Sequence, residues 1–278
     1  MTKRTETGIK KVEGVDPNFL AEYIENDHSL DTLREHRIVP RIKLIQSTTD
    51  NALKKQFGEG SAILRPGDVL ICKHEEDPNN FQIVPIFFFV EFAKWQDIKS
   101  QIGPMVEERS FDPSSDIAKR ARNLKRRYEV YPGQDGLAEN DQCRYRFVEH
   151  LRFISLIYGE HPLVGTPVTL SFERGEFGQG KNFISAISLR RQMISDKSMT
   201  VPLWAQVWTF SPVYREPTKD RRWYGFKFEP SDPSIIRTEE AEGMRTLHTE
   251  MKDLFEKQRL LVDDEAPEEV AVNDSGEF

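Results

Sequence analysis

Cys143-Arg-Tyr-Arg-Phe-Val-Glu-His-Leu-Arg-Phe-Ile-Ser-Leu-Ile-Tyr158 is the stretch that decides the fold of this chain. Aromatic and aliphatic side chains dominate its odd positions, whereas arginine and histidine recur at its even ones. Successive side chains of a β-strand point to opposite faces of the sheet, so the stretch predicts a strand with two unlike faces. The apolar face holds Tyr145, Phe147, Leu151, Phe153 and Ile157, and the basic face holds Arg144, Arg146, His150 and Arg152.

Similar strand patterns lie on both sides of this stretch. Before it, the patterns cover Ile38–Gln46, Val69–Cys72 and Phe81–Phe92, and after it they form two predicted hairpins. The first hairpin joins Pro167–Arg174 to Asn182–Met193 through the glycine-rich turn 175–181, and the second joins Val201–Tyr214 to Arg221–Glu229. Amphipathic spacing predicts helices over Ser115–Arg127 and Glu239–Leu261. The sequence therefore predicts a mainly β fold with a few helices (α+β), built as a small antiparallel barrel or curled sheet.

Three regions differ in composition. Residues 1–37 are a polar arm followed by a predicted helix that begins at Asp16-Pro17, with aspartate as the N-cap and proline in the first turn. Residues 38–262 form the predicted body. Residues 263–278 are acidic and hold too little apolar surface to offset the entropy of ordering, so they predict a disordered tail.

Charge is distributed unevenly along the 278 residues. The net charge is −7, yet residues 115–227 carry nineteen lysines and arginines against twelve acids, a net of +7. A basic middle flanked by acidic ends points towards a polyanionic partner. Two cysteines are too few for a disulfide framework, and the chain begins without the apolar segment of a signal peptide, so we expect a cytoplasmic protein.

The stretch Val201-Pro-Leu-Trp-Ala-Gln-Val-Trp-Thr209 is the most informative for function. If it is a strand, Trp204 and Trp208 share one face with a glutamine between them, and Trp223 and Lys227 share a face of the return strand. Exposed indoles are platforms on which nucleic-acid bases stack, at about 1–3 kcal/mol per base. The alternative is that these indoles pack under a loop or under the C-terminal helix, because tryptophan is highly buried on average.

Cations near these strands predict phosphate contacts. The candidates are Arg144, Arg146, Arg152, Arg174, Lys181, Arg190, Arg191, Arg221, Arg222 and Lys227. A solvated outer wall of the sheet is the alternative interpretation.

The acidic tail is the candidate partner-binding segment. It consists of seven carboxylates and a terminal aromatic ring that nothing local can bury: Asp263, Asp264, Glu265, Glu268, Glu269, Asp274, Glu277 and Phe278. Solvation by a charge run is the simpler interpretation. The alternative is a mobile anion that covers a basic groove and presents Phe278 to a partner.

Signals for catalysis, a metal or a cofactor are weak. Cys72, His74, Cys143 and His150 lack the spacing of a compact zinc site, although a Cys/His site can be drawn from them. The glycine-rich stretch 175–180 is not a phosphate-binding loop, because no Gly-Lys-Ser/Thr follows a buried strand at the required spacing. We therefore expect a protein that is not an enzyme and has no cofactor.

The chain resembles the single-stranded DNA-binding proteins of phage replication. The resemblance lies in the paired tryptophans, in the acidic tail that ends in phenylalanine, and in Val39–Gln46, Pro167–Phe172 and Trp223–Phe226. It implies an OB-fold body whose tail competes with DNA and recruits a polymerase, helicase or primase. Residues 1–140 exceed what a minimal OB-fold needs.

The predicted function is non-specific coating of single-stranded DNA during phage replication or recombination, in the cytoplasm of the infected host. RNA remains an alternative ligand, because stacking and phosphate contacts do not distinguish the sugars. A homo-oligomer is compatible with this function. There are two alternative functions. One is a virion or scaffold protein that makes protein contacts only, and the other is an enzyme acting on nucleic acid.

Overall fold

A computed structural model describes residues 39–257, except 77, 98–104, 124–127, 131–143, 195 and 220. The predicted helix at Asp16 and the acidic tail therefore lie outside the described residues. The strands are β1 (Arg41–Leu44), β2 (Ala62–Arg65), β3 (Val69–Cys72), β4 (Phe81–Asp97), β5 (Met105–Ser110), β6 (Tyr128–Val130), β7 (Arg144–Tyr158), β8 (Pro167–Phe172), β9 (Arg191–Ile194), β10 (Lys197–Thr200), β11 (Gln206–Thr218) and β12 (Arg221–Ile235). The helices are α1 (Asn51–Phe57), α2 (Asp116–Arg122), α3 (Phe177–Leu189) and α4 (Ala241–Glu256).

Ten of these strands form one curled sheet in the order β12-β11-β4-β7-β8-β1-β2-β3, with β5 beside β4 and β6 beside β7. Its centre is the long antiparallel pair of β4 and β7, which runs from Gln82 opposite Tyr158 to Asp97 opposite Arg144. The sheet is not purely antiparallel, because β1 and β8 run parallel at Arg41 and Thr169. The prediction of a mainly β, barrel-like fold with a few helices is confirmed. Strands β9 and β10 form a separate two-stranded ribbon.

The concave face of the sheet encloses the main core. Apolar side chains from β1, β2 and β3 at one end meet those of β11 and β12 at the other end in a single cluster, and this shared core curls the sheet. Ile42, Ile71, Phe153, Phe210 and Phe226 are among its buried members. Burial of this apolar surface is the main favourable contribution to folding.

Helix α3 fills the concave face, and the predicted hairpin with a turn at 175–181 is wrong. The ring of Phe183 is fully buried and contacts Phe153, Phe210 and Trp208. Gly180 lies so close to Phe172 that a Cβ atom there would overlap the phenylalanine side chain. The glycine therefore serves close packing of a helix on a strand rather than a turn.

Helix α4 covers part of the opposite, convex face. Met251 packs against Phe89 and Ile154, and the ring of Phe255 lies beside those of Phe87 and Phe89. This agrees with the amphipathic helix predicted over Glu239–Leu261, although the 3-10 turn Thr238–Glu240 comes first and α4 ends at Glu256. Both faces of the central strands are therefore covered.

The outer edge of β12 is capped by one side chain from the far end of the sheet and by one from the turn before α3. The Gln46 amide, just after β1, donates to the carbonyl oxygen of Tyr224 and accepts from its N–H, both at 2.8 Å. Glu176 accepts from the N–H of Phe226 at 3.1 Å. An exposed row of backbone groups promotes strand addition by other chains, so these contacts protect the edge.

Candidate nucleic-acid interface

The predicted basic face of β7 is buried. Arg152 is 1% exposed, and its Nη2 lies 2.6 Å from Oε2 of Glu91 on β4. Arg109 on β5 contacts the other oxygen of Glu91 at 2.8 Å. Burial alone would raise the pKa of Glu91, but the positive charges beside it lower it below its ordinary value. These contacts show a structural ion-pair network rather than a surface for phosphate.

His150 and Arg146 lie on the same side of β7 and are also buried. The Nδ1 atom of His150 lies 3.0 Å from Oε2 of Glu173. Burial would raise the pKa of Glu173, yet its interactions with His150, Arg41 and Arg174 outweigh this and lower it to about 2. The structure therefore does not present Arg146, His150 or Arg152 to a ligand at the surface, and the side chain of Arg144 lies outside the described ones.

Trp208 belongs to the core. It is 2% exposed, and its Nε1 donates to Oε1 of Gln206 at 3.2 Å. Trp204 is half-buried in a second cluster, on the 3-10 turn Leu203–Ala205. Because this turn interrupts the predicted strand, Val201 to Thr209 does not alternate throughout, and Trp204 and Trp208 do not form the exposed platform that the sequence predicts.

Trp223 is half-buried on β12 and, unlike Trp208 and Trp204, does not belong to an apolar cluster of the described residues. Its Nε1 donates to Oε1 of Glu176 at 2.9 Å, and the same oxygen lies 2.7 Å from Nε of Arg215. A Cβ atom at Gly175 would lie 3.1 Å from the indole, so the backbone passes close to the ring. These contacts fix the orientation of the indole.

Five of the predicted phosphate-binding cations are exposed: Lys181, Arg191, Arg221, Arg222 and Lys227. Arg174 and Arg190 are half-buried, and the Arg190 guanidinium lies over the ring of Trp208. By strand alternation, Arg221, Trp223 and Lys227 project to one face of β12. Surface ion pairs hold two of the five, with Arg222 on Glu216 at 3.1 Å and Lys227 on Glu229 at 2.9 Å.

A cavity of about 490 Å³ lies between α2 and the sheet strands β4, β5 and β7. Lys94 and Arg120 line it, and each lies over an aromatic ring, Lys94 over Tyr145 and Arg120 over Phe147. Sequence reasoning missed it because Lys94 and Glu108 come from separate strands. The signal in the sequence that could have indicated this cavity was the aromatic pair Tyr145 and Phe147 on β7. Alternation assigned both residues correctly to the apolar face.

Cys72 is a core residue. Burial raises the pKa of its thiol to about 12, which disfavours the thiolate that a metal site requires. His74 packs its ring edge against Tyr224. Among the described residues, histidine, cysteine and carboxylate side chains form no group of three that could hold a metal ion. Cys143 lies outside that part of the chain.

The family model of Pam3 phage gp34-like proteins matches residues 10–259. The chain belongs to this family. This Pam3 phage gp34-like protein matches no curated protein and no solved structure. The family supports the expected phage origin, and no helix within the described residues is long and apolar enough to cross a membrane.

Proposed function

We propose that this Pam3 phage gp34-like protein binds single-stranded DNA without sequence specificity during phage replication or recombination. The observation that supports this best is the row Arg221, Trp223 and Lys227 on one face of β12. The row combines two exposed cations with an indole whose orientation is fixed by Glu176. Such a combination of charge and ring is typical of surfaces that bind single strands.

The dimensions of the row suit several nucleotides. Six residues of extended chain separate Arg221 from Lys227, which is about 20 Å. The cations neutralise phosphates and release counterions, and the indole stacks on a base at about 1–3 kcal/mol. Lys181 is a further exposed cation, and it lies in α3, the helix that follows Glu176.

The proposal extends to residues 263–278. Their seven carboxylates compete with DNA for the same cations, and Phe278 offers an anchor to a replication enzyme such as a polymerase, helicase or primase. Removal of these residues tightens DNA binding at low salt, because a competing anion is removed.

A labelled oligonucleotide titrated at two salt concentrations tests the proposal. Trp223→Ala should weaken binding about fivefold to a hundredfold, which corresponds to about 1–3 kcal/mol. Trp204→Phe is the matched control, because Trp204 packs in the second apolar cluster, and it should leave affinity unchanged. An unshifted oligonucleotide, or equal affinity of the Trp223 variant, overturns the proposal.

The same assay separates the other candidate functions. RNA of the same sequence tests sugar preference, and duplex DNA tests strand preference. Degradation of the oligonucleotide on addition of a divalent metal would identify an enzyme instead. Absence of any nucleic-acid complex would favour a virion or scaffold protein.

A further inference from the structure

The β9–β10 ribbon projects from the body without support from other strands. Its two strands pair only with each other among the described strands. Every described side chain from Arg191 to Thr200 is exposed. An isolated two-stranded hairpin is marginally stable in water, so a ribbon of this kind gains stability from a partner.

The ribbon is apolar and carries a net positive charge, because Arg191 and Lys197 outnumber Asp196. Leu189 at its base is 77% exposed, and Met193 and Met199 are 65% and 51% exposed. The register places Arg191 beside Met193 on one face and Lys197 beside Met199 on the other. Each face therefore presents one flexible apolar side chain and one cation.

The edge of the sheet at β3 is apolar and acidic, and these properties complement those of the ribbon. Val69 on β3 is 42% exposed, and Val164 in the loop between β7 and β8 is 57% exposed. His161 joins this loop to β3, because its Nε2 lies 3.0 Å from the carbonyl oxygen of Ile71. We name this surface the β3 edge.

Carboxylates surround the β3 edge. Glu75 and Glu76 follow β3 and are exposed, and Glu160 is exposed in the same loop as Val164. Lys73 forms an ion pair with Glu76 at 2.6 Å, which leaves an acidic excess. The β3 edge is thus apolar and anionic.

We propose that the ribbon of one copy of this chain docks on the β3 edge of a second copy. Of the six large hydrophobic side chains that are exposed within the described residues, five lie on these two surfaces. Exposed apolar side chains that are grouped in this way mark interaction sites. The two surfaces carry opposite charge, which favours their mutual contact.

Pairing of two ribbons is disfavoured, because Arg191 and Lys197 of one copy would face those of the other. The ribbon and the β3 edge are different surfaces, so their contact is heterologous. If each copy contacts the next one in this way, the contacts close into a ring or continue as a filament. If two copies each place their ribbon on the other's β3 edge, a dimer forms.

Charge reversal tests the contact in the full-length protein. Mass is measured by light scattering and sedimentation over a range of concentrations. Wild type should associate, and both Arg191→Glu/Lys197→Glu and Glu75→Lys/Glu76→Lys should weaken association about tenfold or more. Arg245→Glu/Lys252→Glu on α4 is the matched control, because it reverses two exposed cations outside both surfaces and outside the row on β12.

Mixing the two charge-reversed variants is the decisive step. The acidic ribbon of one variant then meets the basic edge of the other, while the wild-type surfaces also remain complementary. Association should return to within about threefold of wild type, although the association of each variant alone is weakened about tenfold or more. Circular dichroism confirms that each variant is folded.

Two results overturn the proposal. One is a wild-type protein that stays monomeric at every concentration, whether or not an added single-stranded oligonucleotide assembles it. The other is association that neither variant reduces.

Discussion

Replacing Arg152 by methionine tests whether this arginine is structural or binds DNA. Methionine keeps most of the apolar volume but removes the guanidinium that lies 2.6 Å from Glu91, which is itself 1% exposed. A buried charge that loses its partner costs about 3–5 kcal/mol. We expect about 3 kcal/mol, at the lower end, because Arg109 still contacts Glu91 at 2.8 Å.

Thermal and denaturant unfolding measure this cost. A loss of about 3 kcal/mol corresponds to a decrease in Tm of about 6–12 °C for a domain of this size. The double variant Arg152→Met/Glu91→Leu should recover most of the stability, because the uncompensated charge is removed. The oligonucleotide affinity of the folded fraction should not change.

The opposite pattern would refute the structural role of Arg152. If Arg152→Met keeps its Tm but binds DNA several-fold more weakly, the guanidinium contacts phosphate. If the double variant is less stable than the single one, Glu91 and Arg152 do not act as a pair.

Four further measurements test other parts of the structure. Gln46→Ala should cost about 1–3 kcal/mol and speed hydrogen exchange at Tyr224, because both backbone groups of that residue lose their partner. Phe183→Ala should cost about 3–5 kcal/mol in unfolding experiments, since the ring is fully buried. The pKa values of Glu91 and Glu173 are lowered by folding, so their contribution to stability is present above about pH 4.3. The contribution of Glu173 should be lost as pH falls from there to about 2, and Glu173→Gln should flatten that part of the pH–stability curve.

The strands were largely predictable from local patterns. The run Phe81–Phe92 predicted β4, which extends to Asp97, and the alternation of Cys143–Tyr158 predicted β7 with its faces assigned correctly. Helix α2 was predicted too long, although its N-cap Ser115 was the predicted first residue. Local pattern succeeds here because a strand repeats every two residues, whatever it packs against.

Helix α3 could not be predicted in the same way. Three glycines between Gly175 and Gly180 favour a turn, and glycine costs about 1 kcal/mol in a helix interior. Burial of Phe183 and Ile187 in the sheet outweighs that cost. The burial that outweighs the glycine cost depends on strands that are distant in the sequence, so the local sequence does not reveal it.

Alternation in the sequence also could not predict whether either face of β7 meets solvent. Alternation separates two faces, but helix α4 and strand β5 contribute to covering the convex one as well. The one local signal was Glu91, a carboxylate within the apolar run Phe81–Phe92. A charge at such a position requires a buried partner, and the arginines of β7 supply it.

Burial of these arginines sets a limit on how strongly salt should weaken any DNA complex. Ten cations were predicted to contact phosphate, and for single strands each contributes about 0.7 to the logarithmic salt slope, so the prediction gives about −7. Of the nine whose side chains the structure describes, five are exposed, and contacts from these five alone give a slope of about −3.5. Arg221→Gln/Lys227→Gln should then reduce the magnitude by about 1.4. If the wild-type slope is near −7 and Arg152→Met also reduces its magnitude, the buried network opens on DNA binding, and the structural role of Arg152 and Glu91 would have to be abandoned.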